Sequence, residues 1–159
     1  MKTARLLAGV ATLLVLGLAA CVPSDGPSML PGEDCLLCHN GSRATAWTVS
    51  GTVYSDPNAP SYAGEEGAQI IVTGADGKVL TLMSNSVGNF YTAEEIAKPF
   101  AVVVQRGSFK MVMTAPPSSG ACSSCHTVPA VAGAPGRLFV PYTATAATRF
   151  MQNALARAR

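Results

Sequence analysis

The middle of the chain alternates between apolar and polar residues with the period of two that belongs to β-strands. Trp47 to Tyr54 sets Trp47, Val49 and Val53 on one face and Thr48, Ser50, Thr52 and Tyr54 on the other. Gln69-Ile-Ile-Val-Thr73 and Lys78-Val-Leu-Thr-Leu-Met83 flank Gly74-Ala-Asp-Gly77, and an Asp-Gly pair between two β-branched runs predicts a hairpin. Asn89 to Thr92 follows the turn at Gly88 as a short strand. Phe100-Ala-Val-Val-Val-Gln105 is apolar on both faces, as a central strand is, and Arg106-Gly107-Ser108 turns it into a sixth run, Phe109 to Thr114. Six short strands separated by turns predict a mainly β chain, a small antiparallel β-sandwich over residues 47–114. An even number of alternating strands returns the chain to the end where it entered. The segments before and after the sandwich are therefore expected side by side.

The ends follow other patterns. Leu6 to Leu18 is a thirteen-residue apolar run behind Lys2 and Arg5; a spanning helix needs roughly 20 residues. Residues 1–20 read as a cleaved export signal, with a membrane anchor as the competing reading. Leu18-Ala19-Ala20-Cys21 resembles the lipobox of bacterial lipoproteins. The resemblance implies that Cys21 is lipidated and becomes the first residue, and that Val22, where inner-membrane lipoproteins tend to carry Asp, directs the protein to the outer membrane. Plain secretion would instead leave Cys21 as a free thiol in an oxidising compartment. The Pro, Ser, Gly and Asp residues between Val22 and Gly32 suit a flexible tether, taken as residues 21–34. At the other end, Phe150, Met151, Ala154, Leu155 and Ala158 recur at helical spacing, with Arg149, Asn153 and Arg157 on another face. A short amphipathic helix is expected over 142–159, packed on the domain or meeting an acidic redox partner or anionic lipid.

Composition narrows the class. With 13% charged residues, 15 Gly, 11 Pro and a formal net charge of +2, the chain is no coiled coil, helical bundle or basic nucleic-acid-binding protein. Removing Lys2 and Arg5 with the signal takes eleven basic residues to nine, level with the nine acidic ones.

Four of the five cysteines and both histidines fall in two runs, Cys35-Leu-Leu-Cys38-His39 and Cys122-Ser-Ser-Cys125-His126. Sulfurs at this spacing can join the two vinyl groups of one porphyrin, and the adjacent imidazole can reach its iron. This is the attachment motif of c-type cytochromes, which the chain resembles twice. The resemblance implies two covalently bound haem c groups, on segments 35–46 and 115–141. Cys35, Cys38, Cys122 and Cys125 are then the attachment residues, and His39 and His126 the proximal ligands. A zinc site made of the four cysteines, and disulfides within or across the pairs, are alternative uses that give the histidines no role. Sixth iron ligands are expected mainly from Met29, Met83, Met111, Met113 and Met151, less commonly from Lys. Met111 and Met113, eleven and nine residues before Cys122, are favoured for the second haem and Met83 for the first. The same alternation also lets Met111 and Met113 simply fill the core beside Phe109.

Ser50-Gly-Thr-Val-Tyr54, Gly67-Ala-Gln-Ile-Ile-Val-Thr73, Asp76-Gly77, Ser86-Val-Gly-Asn-Phe90 and Phe100 to Val104 resemble, in order, the transthyretin-like or carboxypeptidase-regulatory-like β-sandwich. Gly120-Ala-Cys-Ser-Ser-Cys-His-Thr127 followed by Gly133-Ala-Pro-Gly-Arg137 looks like the tail of small cytochromes from environmental respiratory bacteria. A sandwich carries no activity by itself, so the haem motifs set the expectation. It is an electron-transfer dihaem c-type cytochrome, not an enzyme, lipid-anchored at the bacterial envelope and serving redox partner proteins there, with no nucleic-acid partner. Two other classes stand beside it: a haem protein with an open iron position for small ligands or peroxide, and a structural or adhesive envelope module. The first needs a distal acid–base group, and no third histidine exists to serve as one.

Overall fold

The computed structural model describes residues 26–141. Strands form where the alternation falls: β1 (Val49–Tyr54), β2 (Gln69–Thr73), β3 (Val79–Met83), β4 (Asn89–Thr92), β5 (Ala101–Arg106), β6 (Phe109–Val112) and, beyond the expected six, β7 (Leu138–Phe139). β2 and β3 pair antiparallel from Gln69 opposite Met83 to Thr73 opposite Val79. In their turn Gly77 takes φ +83°, a left-handed value open to glycine at little cost. β5 lies between β2 and β6, as its two-faced apolarity requires, in a sheet ordered β3-β2-β5-β6; the other sheet runs β4-β1-β7. Val49 and Val53 of β1 and Phe90 of β4 pack against Ile70, Val72, Leu80, Val102 and Val104 from the larger sheet. The architecture is a small β-sandwich, mainly antiparallel.

The structure differs from the expectation in three places, each at β1. First, β7 joins β1 in parallel, Val53 opposite Leu138 and Tyr54 opposite Phe139; a two-residue strand is too short for alternation to reveal. The same edge of β1 takes a second parallel contact, Ser50 with Ala121. Second, β1 is buried at all six positions, although its alternation implies one polar outward face. Flanking segments cover that face. Gly32 N–H donates to Thr52 Oγ1 at 2.8 Å, and Arg137 Nη1 donates to the Tyr54 hydroxyl at 2.8 Å. Third, Trp47, expected on one strand face with Val49 and Val53, stands before β1 and outside the core cluster that holds those two.

The export signal, Cys21, the amphipathic helix and Met151 lie outside the described residues. Among those described, no helix is long and apolar enough to cross a membrane.

Candidate functional site

Both Cys-x-x-Cys-His runs fold into the same short 3₁₀ turn, Cys35–Leu37 and Cys122–Ser124. Their backbone bonds repeat. Cys38 N–H donates to Cys35 O at 3.2 Å and Cys125 N–H to Cys122 O at 3.3 Å; His39 N–H donates to Cys35 O at 2.8 Å and His126 N–H to Cys122 O at 3.0 Å. The turns close at φ, ψ of −104°, −42° for Cys38 and −112°, −39° for Cys125. Return bonds follow in parallel, Ala44 N–H to Cys38 O at 3.1 Å and Val131 N–H to Cys125 O at 3.2 Å. The residues between the cysteines, Leu-Leu and Ser-Ser, have nothing in common. Capping differs as well: Asp34 accepts from Leu36 N–H at 3.0 Å, while Ala121 has no side chain with which to cap. The shared geometry therefore belongs to the spacing of Cys and His.

Each histidine uses Nδ1 on a backbone carbonyl, His39 on Thr45 O at 3.0 Å and His126 on Gly136 O at 2.9 Å. A carbonyl only accepts, so Nδ1 of each ring is the donor and the bond fixes the direction in which Nε2 points. The His39 ring is also stacked on Trp47, with centroids 3.4 Å apart and planes 6° from parallel, and Trp47 on Tyr91 at 4.0 Å and 7°. Trp47 thus holds the imidazole face in place of a core position.

His39 Nε2 faces Met29 Sδ at 3.5 Å. The segment bearing Met29, expected to be a loose tether, is pinned to the smaller sheet. Asn89 Nδ2 donates to Met29 O at 2.7 Å, Asn85 Nδ2 donates to Pro27 O at 2.6 Å, and Thr52 Oγ1 donates to Asn89 Oδ1 at 2.8 Å.

The two turns meet at β1. A Cβ on Gly51 would lie 2.8 Å from Phe90 Cζ and 2.9 Å from Cys122 Cβ, so a glycine here lets the second turn seat against the core. The buried Ser50 hydroxyl faces the Cys35 thiol. Burial raises the Cys35 pKa, outweighing the contact with Ser50 that lowers it. Burial likewise pushes Cys122 up to about 12, and the Cys35 thiol lies close enough to raise it further. Both are neutral thiols at pH 7, and the two turns meet on the same strand. Cys125 is free as well, whereas Cys38 is disulfide-bonded.

A cavity of about 400 Å³ opens beside the second turn, lined by Cys122, Cys125, His126, Met111 and Met113 and by the 114–119 loop; it falls within the size range of ligand sites. Met113 also packs on the main core and Met111 on the cluster around Tyr54 and Phe139, so both expectations for these residues meet in one place. Met83 is different. It stands half exposed at the end of β3, opposite Gln69, and Met29 is the methionine that meets His39. Among the described residues no three His, Cys, Asp or Glu side chains converge on one point. Comparisons of the chain with protein-family models, curated proteins and solved structures found no match. The functional reading rests on the residues themselves.

Proposed function

We propose that the protein is a dihaem c-type cytochrome of the bacterial envelope, anchored by lipid on Cys21 at the outer membrane, that passes electrons between redox partner proteins. The observation carrying this reading is the repeated geometry of the motifs. Two runs with unrelated intervening residues fold alike, and each fixes its histidine by Nδ1 so that Nε2 is available. A proximal histidine oriented by a second hydrogen bond, next to two attachment sulfurs, is the donor set that a covalently bound haem requires.

The residues present fit the group. At the second motif Cys122 and Cys125 are free thiols and His126 borders the cavity. At the first, Cys35 is free and Cys38 is disulfide-bonded, so attachment there requires a dithiol reductant to cleave the Cys38 disulfide by thiol exchange, itself becoming the disulfide. Bound haem supplies one-electron iron chemistry. The carbonyls of Thr45 and Gly136 hold the two imidazoles in one orientation. Val102 and Val104 line the cavity with apolar surface, and Met111 and Met113 would offer thioethers to an iron held by His126. The closeness of Cys35 and Cys122 across β1 supports electron exchange between the two groups inside one domain. The sandwich, whose motifs resemble transthyretin-like domains, is the scaffold, and no catalytic group is part of this reading.

The test is a denaturing gel stained for haem peroxidase activity, followed by peptide masses. Each motif peptide is expected to carry one haem; unmodified masses at both motifs overturn the proposal. Metabolic labelling with a tagged fatty acid checks the anchor, and a wild-type protein that takes no label removes it.

A further inference from the structure

We infer that Met29 is the sixth ligand of the iron held by His39, so that the segment between the expected lipid anchor and the sandwich is a working part of the first haem site. This rests on the haem reading above.

His39 Nδ1 donates to Thr45 O at 3.0 Å, which turns Nε2 of the same ring toward the Met29 sulfur at 3.5 Å. Imidazole nitrogen and thioether sulfur are both ligands that haem iron takes, so the fold sets two donors suited to one iron face to face.

Nor is Met29 there by chance of a loose chain. Its carbonyl is held by Asn89 Nδ2 at 2.7 Å, and Asn89 is itself fixed: its N–H donates to Asn85 Oδ1 at 3.0 Å and its Oδ1 accepts from Thr52 at 2.8 Å. Asn89 is 5% exposed, so this network is part of the sandwich. Gly32 N–H, three residues on from Met29, closes it on Thr52. By contrast Met83, the other candidate for this iron, is 53% exposed on the opposite sheet.

Thioether ligation raises the iron potential relative to a second imidazole. The experiment uses the haem-loaded protein and its Met29→Ala, Met29→His and Met83→Ala variants, read by the methionine-to-iron charge-transfer band of the oxidised form and by the two midpoint potentials. In Met29→Ala the band should fall by about half if the second iron also has a thioether, and vanish if it has not, with one midpoint lowered and covalent haem content unchanged. Met29→His should keep a low-spin iron while losing the same share of the band and lowering the same midpoint. Met83→Ala should change neither. A fully loaded Met29→Ala protein with the wild-type band and both wild-type midpoints overturns the assignment and leaves the cytochrome reading standing. A wild-type chain without covalent haem overturns both.

Discussion

One added methyl group should unseat the second Cys-x-x-Cys-His turn from the sandwich. Gly120 is buried, and its carbonyl accepts the Ser50 N–H at 2.9 Å. A Cβ on this residue would fall inside the Thr48 carbonyl, with Val49 Cα at 3.0 Å. These are backbone atoms at the head of β1, which β4 and β7 hold on either side, so they cannot swing aside as a side chain can. Gly120→Ala must push residues 119–122 away from β1. That breaks the bond to Ser50, a residue 1% exposed, and a buried N–H left without a partner costs about 1–3 kcal/mol. Residual overpacking adds about 1–3 kcal/mol. The sum, about 2–6 kcal/mol, is a large fraction of the roughly 5–15 kcal/mol that holds a domain folded. Gly107→Ala is the reference, because Gly107 has φ +56° and no atom within 4 Å of an added Cβ; its cost is left-handed strain alone, about 1–2 kcal/mol. Denaturant midpoints of the haem-loaded proteins, followed by circular dichroism, should fall from wild type to Gly107→Ala and further to Gly120→Ala. Magnetic coupling between the irons in paramagnetic resonance should weaken only in the last. A Gly120→Ala midpoint at or above that of Gly107→Ala would refute the idea that the second turn is locked on β1.

Two further outcomes follow from the same contacts. In haem-free protein the Cys122 thiol, pushed to about 12 from the ordinary 9.0 by burial, stays protonated in the fold after the unfolded chain has lost its proton; stability is intact below pH 9 and declines as pH rises toward 12. Urea midpoints across that range check it, and the haem-loaded protein, with no thiol there, should keep only the smaller decline from Tyr54, whose pKa burial also raises. Trp47→Leu removes the ring stacked on His39 while leaving an apolar residue, so one haem signal in paramagnetic resonance should change its anisotropy with haem content intact; an unchanged spectrum would show that Trp47 does not orient the imidazole.

What was legible in the sequence was local. β2 and β3 are readable because the Asp76-Gly77 turn and the β-branched residues beside it point to one hairpin, and β5 because a run apolar on both faces belongs inside a sheet. The motif turns are readable because Cys and His carry their own spacing. Their carbonyl partners, Thr45 O and Gly136 O, are backbone atoms and leave no trace in residue identity. The tether is the clearest case of tertiary override. Its Pro, Gly and Ser residues suit a free linker, yet its described part is held by Asn89, 60 residues from Met29, and by Thr52, 20 residues from Gly32. No pattern within the segment itself encodes those bonds. Composition alone therefore favours Met83, on a strand, over Met29, and only the network reverses the order.

The strand count and the observed neighbourhood of the motifs agree for a reason more specific than parity. β1 is the point at which both segments are fastened: the N-terminal one meets Ser50 and Thr52, and the second turn runs along the edge at Ala121 and reaches Gly51 through Cys122. Successive residues of a strand point to opposite faces, so Ser50 and Gly51 offer one position to each segment. A polar residue suits the first because it lies beside a thiol and a hydrogen-bonded tether. The absence of any side chain suits the second because Phe90 fills the space behind it. Moving either segment by one residue along β1 would set Cys122 against the Ser50 side chain or Cys35 against the core. The alternation that builds the sandwich therefore also fixes which Cys-x-x-Cys-His turn occupies which face, and a slip in the register of β1 should perturb both turns at once.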